Sequence, residues 1–395
     1  MKLTTLVFFS LVLLTSAGFS QNGQNSEDNT PAASSEDNEG RDAMTKLKNT
    51  QVRGLTAKSL KEFEYATKLL REGRDEEAVA AWTAVIKSNP KLAIAYNNRG
   101  SSYRNLGKLD LAFEDFNTSL RLSPSAFAYN NRGMLYSFNS EFEKALADFD
   151  KAIEVEPRES LSFNNRADLF RKMGQFERAL TDQNKAISIS PKESMYFSNR
   201  CNIYIMLNKS DEALADCTKA IELNPTLLQA YFNRGVIYSQ RSEFESALKD
   251  LNEAIKIDST FSRTYLERGA VLNMLGRYDE AIETFTKGIG LKPSALLYLN
   301  RAAAYVELEN VDLALADFDK AIELEPANAL CYNNRGVFLM NQGDTAGSLF
   351  DFTKAIELDG NSAIYYENRA TLYTFLGETE KANADRKTIE SIIGH

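Results

Sequence analysis

Histidine is almost absent from the chain: the 395 residues include one, His395. This absence excludes histidine-based triads, histidine acid–base catalysis and histidine-ligated metals from a folded site. Three cysteines are too few for a disulfide framework. Acidic residues outnumber basic ones, 55 to 46, and the resulting net charge of −9 argues against a nucleic-acid interface. Because phosphate-loop, dinucleotide and nucleophile-elbow motifs are also missing, we expect no enzyme activity, no cofactor and no metal.

The first residues have the composition of an export signal. Lys2 precedes a short apolar run, residues 3–14, and small residues follow it. We predict a signal peptide over residues 1–20 with cleavage before Gln21, and cleavage after Ala17 is the alternative. Twelve residues are short for a membrane span. The mature chain is therefore expected in a periplasm, an extracellular space or a secretory lumen, with no membrane span.

Residues 21–45 form an acidic segment with almost no large apolar side chains. Such a composition cannot bury enough surface to offset the entropy of ordering, so it predicts a disordered leader. An interaction tail is the alternative reading. Residues 46–58 follow as an N-terminal extension, for which a helix is one option. The charged residues of the leader are Glu27, Asp28, Glu36, Asp37, Glu39 and Asp42, against Arg41.

Proline is rare, and its positions reveal a repeat. Seven of the eight prolines recur at steps of about 34 residues, and Ser259 occupies the one position in this series where the proline is missing. This period, with proline at the end of each unit, is typical of helix–turn–helix arrays. The seven are Pro90, Pro124, Pro157, Pro191, Pro225, Pro293 and Pro326.

Other positions recur with the same period. If the proline is position 32, position 4 is aromatic, position 8 is small and position 20 is alanine in nearly every unit, as in Tyr96, Gly100 and Ala112. Positions 4, 8 and 11 share one stripe of a first helix, and positions 20, 24 and 27 share one stripe of a second. Small residues at positions 8 and 20 allow the two helices to approach closely.

This pattern resembles the tetratricopeptide repeat family over about 335 residues. The resemblance implies an all-α fold, a right-handed α-solenoid superhelix of paired antiparallel helices. The array is expected over residues 59–395, with polar terminal helices at its ends. Its ten repeats are predicted at about 59–92, 93–125, 126–159, 160–193, 194–227, 228–261, 262–294, 295–328, 329–362 and 363–395.

Position 7 is arginine in nine successive repeats, and position 23 is aspartate in eight. We predict a repeated, partly buried Arg–Asp pair between helices, within a repeat or across a repeat boundary, with a structural role. The arginines are Arg99, Arg132, Arg166, Arg200, Arg234, Arg268, Arg301, Arg335 and Arg369, and the aspartates are Asp115, Asp148, Asp182, Asp216, Asp250, Asp317, Asp351 and Asp385.

Position 6 is asparagine in eight repeats, although asparagine is a mediocre helix former. In the resembled family this position lines the concave groove, where an amide can both donate to and accept from the backbone of an extended peptide. The alternative is that these amides form local hydrogen bonds. We name the set the asparagine ladder: Asn98, Asn131, Asn165, Asn199, Asn233, Asn300, Asn334 and Asn368.

Two smaller features complete the candidates. Positions 5 and 9 become apolar in the middle of the array, and this change predicts an apolar groove patch of Phe232, Val236, Leu266 and Leu299. The alternative is packing of position 5 against the adjacent repeat. Cys201 and Cys217 lie on facing helices of one repeat, where two buried thiols are preferred over a disulfide.

Together these patterns predict a non-catalytic adaptor or scaffold whose groove binds an extended segment of a protein partner, without nucleic acid. The first alternative is a structural scaffold formed by self-association. A glycan or small-ligand receptor is a further alternative.

Overall fold

The computed structural model describes residues 55–394, which contain twenty α-helices and no strand. The predicted signal peptide, the acidic leader and most of the extension at 46–58 lie outside the described residues. Residues 55–394 divide into two compact units, at 55–233 and 234–394, called here the N-terminal and C-terminal units. None of the helices in these units is both long and apolar enough to cross a bilayer.

Ten helices lie wholly in the N-terminal unit and nine in the C-terminal unit, and the division falls within α11, Leu228–Gln240. The N-terminal unit contains α1 Ala57–Arg71, α2 Asp75–Ser88, α3 Ala93–Asn105, α4 Leu109–Leu122, α5 Ala126–Phe138, α6 Phe142–Val155, α7 Ser160–Lys172, α8 Phe176–Ile189, α9 Ser194–Met206 and α10 Ser210–Leu223. The C-terminal unit contains α12 Phe244–Ile257, α13 Ser262–Met274, α14 Tyr278–Leu291, α15 Ala295–Glu307, α16 Val311–Leu324, α17 Ala329–Gln342, α18 Thr345–Leu358, α19 Ala363–Phe375 and α20 Thr379–Ile393.

Each repeat consists of an odd-numbered first helix and the even-numbered second helix that follows it. The first helices after α1 begin at the residues where the 34-residue pattern starts each repeat, such as Ala93 and Ala126. The tyrosine at position 4 also bonds to the linker that precedes its helix: the Tyr96 hydroxyl donates to the Pro90 carbonyl at 3.2 Å. Tyr265 makes the same bond at 3.0 Å to Ser259, where the proline is missing.

A left-handed residue separates the two helices of every repeat. Position 15 has a positive φ in all ten repeats, +70° at Gly107 for example, and it is glycine in six of them. The left-handed residue reverses the chain, and the next amide then bonds back to the first helix, as the Lys108 N–H does to the Tyr103 carbonyl at 2.9 Å. Serine, asparagine or glutamate stands there in the other four, at Ser140, Asn208, Ser242 and Glu309.

The core of a repeat is a small residue at position 8 against a large one at position 24. A Cβ added to Gly100 would lie 2.7 Å from the Phe116 ring, and one added to Gly133 would lie 2.8 Å from Phe149. Both phenylalanines are buried. Because glycine has no Cβ, the two helices can approach until only the phenylalanine ring separates them.

The repeat made by α9 and α10 replaces this contact with a covalent bond. Cys201 and Cys217 occupy positions 8 and 24 and form a disulfide, with their Cα atoms 5.5 Å apart. This pairing corrects our preference for two thiols, because the same close approach that requires glycine elsewhere also brings the two Cβ atoms within bonding range. Cys331 is a free, buried cysteine.

We expect reduction to destabilise this repeat. A disulfide that closes a loop of this length contributes roughly 3 kcal/mol, so dithiothreitol should lower the melting temperature of the parent chain measured by circular dichroism. The double variant Cys201→Gly with Cys217→Phe rebuilds the Gly–Phe contact of four other repeats and should melt at the same temperature with and without dithiothreitol. Equal melting of the reduced and oxidised parent would contradict the disulfide.

Candidate functional site

A guanidinium lies between the two helices in each of the nine repeats that follow the first. In the repeat of α3 and α4, Arg99 Nε and Nη2 donate to the two carboxylate oxygens of Asp115, both at 2.8 Å. The rings of Tyr96 and Tyr103 lie on either side, each 5.7 Å from the guanidinium carbon. This bidentate bond fixes the rotation of the first helix relative to the second.

The same two-pronged bond occurs in eight repeats, with N–O distances of 2.6–2.9 Å. The aspartates are at most 6% exposed. Hydrogen bonding by Asp115 raises the pKa of the Arg99 guanidinium above its ordinary value. The pairs are Arg99–Asp115, Arg132–Asp148, Arg166–Asp182, Arg200–Asp216, Arg234–Asp250, Arg301–Asp317, Arg335–Asp351 and Arg369–Asp385.

The arginine also reaches the preceding repeat, which the sequence analysis missed. Arg132 Nη1 donates to Asn117 Oδ1 on α4 at 2.7 Å, and Arg166 Nη1 donates to Asp150 on α6 at 2.6 Å. Both acceptors stand at position 25, where threonine, asparagine or aspartate recurs. Each arginine with such an acceptor therefore joins three helices. The other position-25 acceptors are Thr83, Asn184, Asn252, Thr286, Asp319 and Thr353.

Arg268 on α13 is the exception. Position 23 of its repeat is Thr284, so this half-buried guanidinium donates to the Thr284 hydroxyl and, at 2.7 Å, to Asn252 Oδ1. Burial lowers the pKa of Arg268 below its ordinary value, although the charge of Glu280 opposes this effect. The same repeat has the fully buried Glu267 at position 6 in place of asparagine.

The asparagine ladder falls into two classes. Asn131, Asn165 and Asn199, on α5, α7 and α9 of the N-terminal unit, are partly exposed. The other five are at most 8% exposed and their amides are packed within the protein, which corrects the expectation that all eight line an open groove. These five are Asn98, Asn233, Asn300, Asn334 and Asn368.

Ladder amides bond to position 5 of the preceding repeat. Asn131 Nδ2 donates to Asn97 Oδ1 at 3.0 Å, and Asn199 Nδ2 donates to Asn164 Oδ1 at 2.8 Å. The buried Asn164 also accepts from Gln183 at 3.2 Å. Asn165 differs, because no described residue bonds to its buried Nδ2 atom. Local hydrogen bonding thus accounts for part of the ladder.

The four apolar residues expected to form a patch are buried. Phe232 is 5% exposed in the N-terminal unit, and Val236, Leu266 and Leu299 are 7%, 7% and 3% exposed in the C-terminal unit. They contribute to packing and present no exposed apolar surface. For Leu299 the alternative stated for position 5 holds, because this side chain shares a buried cluster with Cys331 and Phe338 of the next repeat.

Reactive chemistry is sparse in the described part of the chain. Residues 55–394 hold no cluster of three or more carboxylate, cysteine or histidine side chains that could bind a metal ion. Burial raises the pKa of the Cys331 thiol to about 12, so the thiol stays protonated at neutral pH.

Sequence comparison agrees with the repeat architecture. Three models described as "Tetratricopeptide repeat" match residues 93–125, 126–159, 195–227 and 228–261, residues 161–193, 262–294 and 295–328, and residues 318–349. No curated protein matches the chain.

Solved structures with the same fold include two that align well. A tetratricopeptide repeat protein from Parabacteroides merdae ATCC 43184 is 23% identical, covers 62% of this chain and 98% of its own, and has a TM-score of 0.51. The human IFIT1 dimer with PPP-AAAA is 16% identical, covers 90% of this chain and 95% of its own, and has a TM-score of 0.52. At such low identity these likenesses extend to the fold alone.

We expect removal of one carboxylate to destabilise the fold. In Asp115→Asn the Arg99 guanidinium stays largely buried without its counter-charge, which should cost about 3 kcal/mol in unfolding free energy. Denaturant titration followed by circular dichroism measures the loss. Glu114→Gln, an exposed neighbour on the same helix, is the control and should unfold like the parent. An unchanged denaturation midpoint for Asp115→Asn would show that the Arg99–Asp115 pair does not stabilise the fold.

The exceptional repeat provides the reverse test. Thr284→Asp gives Arg268 the carboxylate that the other arginines have, and should raise the unfolding free energy by about 1.5–3 kcal/mol at pH 7. The ion pair lowers the pKa of the new carboxyl below its unfolded value, so the gain should persist above about pH 4 and disappear as pH falls. Thr284→Asn, which adds no charge, is the control. A gain that is the same at pH 7 and pH 2.5 would rule out the ion pair.

Proposed function

The chain belongs to the tetratricopeptide repeat family, whose arrays serve as protein-interaction scaffolds, and on this premise we propose that it is a non-catalytic adaptor that binds an extended protein segment along the asparagine ladder of its N-terminal unit. Three successive repeats supply one partly exposed asparagine each, at Asn131, Asn165 and Asn199.

The available hydrogen-bonding capacity of these amides carries the proposal. An amide has two donor hydrogens and two acceptor lone pairs. The contact to Asn164 uses one donor of Asn199, whereas Asn131 Nδ2 reaches both Asn97 Oδ1 at 3.0 Å and Ser101 Oγ at 3.5 Å, so Asn131 offers chiefly a remaining acceptor lone pair. The Asn165 Nδ2 donors have no bond within the described residues, and a buried donor without a bond is costly. Because Asn165 is partly exposed, a rotation of its amide would bring these donors to the carbonyl acceptors of a peptide backbone in the groove.

The spacing of the repeats also supports an extended guest. Packed helices lie about 8–10 Å apart, and three extended residues reach about 10 Å. One ladder amide could thus engage every third residue of the guest. Since backbone groups are common to all residues, such recognition depends little on the guest's side chains.

We also propose that the protein works after export. The signal-like composition of residues 1–20 supports this location, and so does the Cys201–Cys217 disulfide, because disulfides persist in oxidising compartments.

The test of peptide binding uses random twelve-residue peptides displayed on phage and selected on the chain from Gln21 onward. Peptides recovered on the parent should bind the triple variant Asn131→Ala, Asn165→Ala, Asn199→Ala about tenfold or more weakly, because three amide hydrogen bonds are lost. The control replaces two exposed asparagines of turns, Asn139 and Asn361, with alanine. If circular dichroism shows both proteins folded, equal affinity for the parent and the triple variant would show that the ladder is not the binding site.

A further inference from the structure

One cation beside the ladder lacks a carboxylate partner. Arg104, near the end of α3, donates from Nη1 to Asn131 Oδ1 at 3.3 Å, and its buried Nε has no bond among the described residues. In residues 55–394 no carboxylate lies within ion-pair distance of it. The Asp75 carboxylate, whose charge acts on Arg104, accepts from Asn105 Nδ2 at 3.2 Å.

This arrangement is unfavourable without a guest. Burial lowers the pKa of the Arg104 guanidinium below its ordinary value, against the opposing charge of Asp75, yet an arginine stays charged at neutral pH. Desolvating a charge without a counter-ion costs free energy, and the paired arginines of the repeats avoid that cost. An anionic group placed at Arg104 would recover it.

Two further cations lie on α7 of the same unit. Arg171 and Lys172 share one carboxylate, Asp168, at 2.6 and 3.1 Å, and Lys172 also reaches Ser137 Oγ at 3.4 Å. Although burial alone would raise the pKa of Asp168, these two positive charges hold it below its ordinary value. Asp168 therefore stays ionised and leaves one net positive charge.

We propose that the acidic stretch 27–42 of this same chain is the segment that binds here, with one of its carboxylates on Arg104. The inference rests on the proposed groove function and names its occupant. The stretch has six carboxylates and one arginine. The chain from Asp42 to Leu55 makes thirteen residue steps and can span about 40 Å when extended. The distance to be bridged is that between the start of α1 and the end of α3, which are packed first helices of adjacent repeats. The tether is thus long enough, and it makes the local concentration of the acidic stretch high.

Such binding would make the leader a competitor of other guests at Asn131. A partner segment would have to displace residues 27–42 first, so the leader would set the threshold affinity for partners.

The test exploits the single tryptophan, Trp82, buried in the first repeat. An acceptor dye attached to Ser35→Cys labels one site, since Cys331 is buried and the other cysteines are bonded. Energy transfer from Trp82 to the dye should be high in the chain from Gln21 onward and should fall with added salt. It should also fall in Arg104→Gln and in a leader variant whose six carboxylates are replaced by amides.

Arg121→Gln, which removes an exposed arginine of α4, is the matched control and should leave transfer unchanged. Equal transfer in the parent, Arg104→Gln and the neutralised leader would overturn the proposal, and so would an equal fall in Arg121→Gln. Since neutralising the leader alters no residue of the repeats, that variant decides the matter even if Arg104→Gln folds poorly.

A second measurement separates the occupant from the groove. A synthetic peptide of residues 24–43 should bind the chain with the neutralised leader, and about tenfold or more weakly when Arg104→Gln is added. Peptide binding without transfer in the parent would mean that acidic segments of other proteins are the guests, and would overturn self-occupancy. Loss of transfer with phage-selected peptides still captured would reject this inference and leave the proposed function intact.

Discussion

A guanidinium shared by three helices is the interaction on which the remaining structure depends. It holds the two helices of its own repeat through an aspartate and reaches the second helix of the preceding repeat through position 25. Because the rotation of the first helix is thereby set, the ladder residue before the arginine points toward position 5 of the preceding repeat, and the small residue after the arginine points toward the second helix. The ladder asparagine and the small core residue owe their directions to this one side chain.

The helix pairs and the ion pairs could be predicted from the sequence, because the residues that form them recur at fixed repeat positions. The proline spacing, the small residue at position 8 and the sixteen-residue separation of Arg99 and Asp115 predicted the helix pairs and the ion pairs. Position 25 escaped notice because threonine, asparagine and aspartate share only an acceptor oxygen. The left-handed position 15 was hidden for a similar reason, since Ser140 and Glu309 adopt the backbone that glycine adopts elsewhere.

The accessibility of the ladder could not be predicted, because it depends on neighbours rather than on the asparagines. Asn131 and Asn368 bond alike to an asparagine at position 5 of the preceding repeat, yet Asn131 is partly exposed and Asn368 is buried. Identical residues at identical repeat positions therefore differ in solvent accessibility. The candidate site narrows from the whole array to three repeats, and its electrostatic character comes from Arg104, which follows no repeat pattern.

The bond between Cys201 and Cys217 also has a mechanical consequence. The repeats of an array can be pulled open in turn, and each gains contour length as its helices unwind. In this one repeat the chain between Cys201 and Cys217, which are sixteen residues apart, cannot be extended while the disulfide is intact. A stretching experiment, or a protease that threads the chain from one end, would meet there a step shorter than all the others.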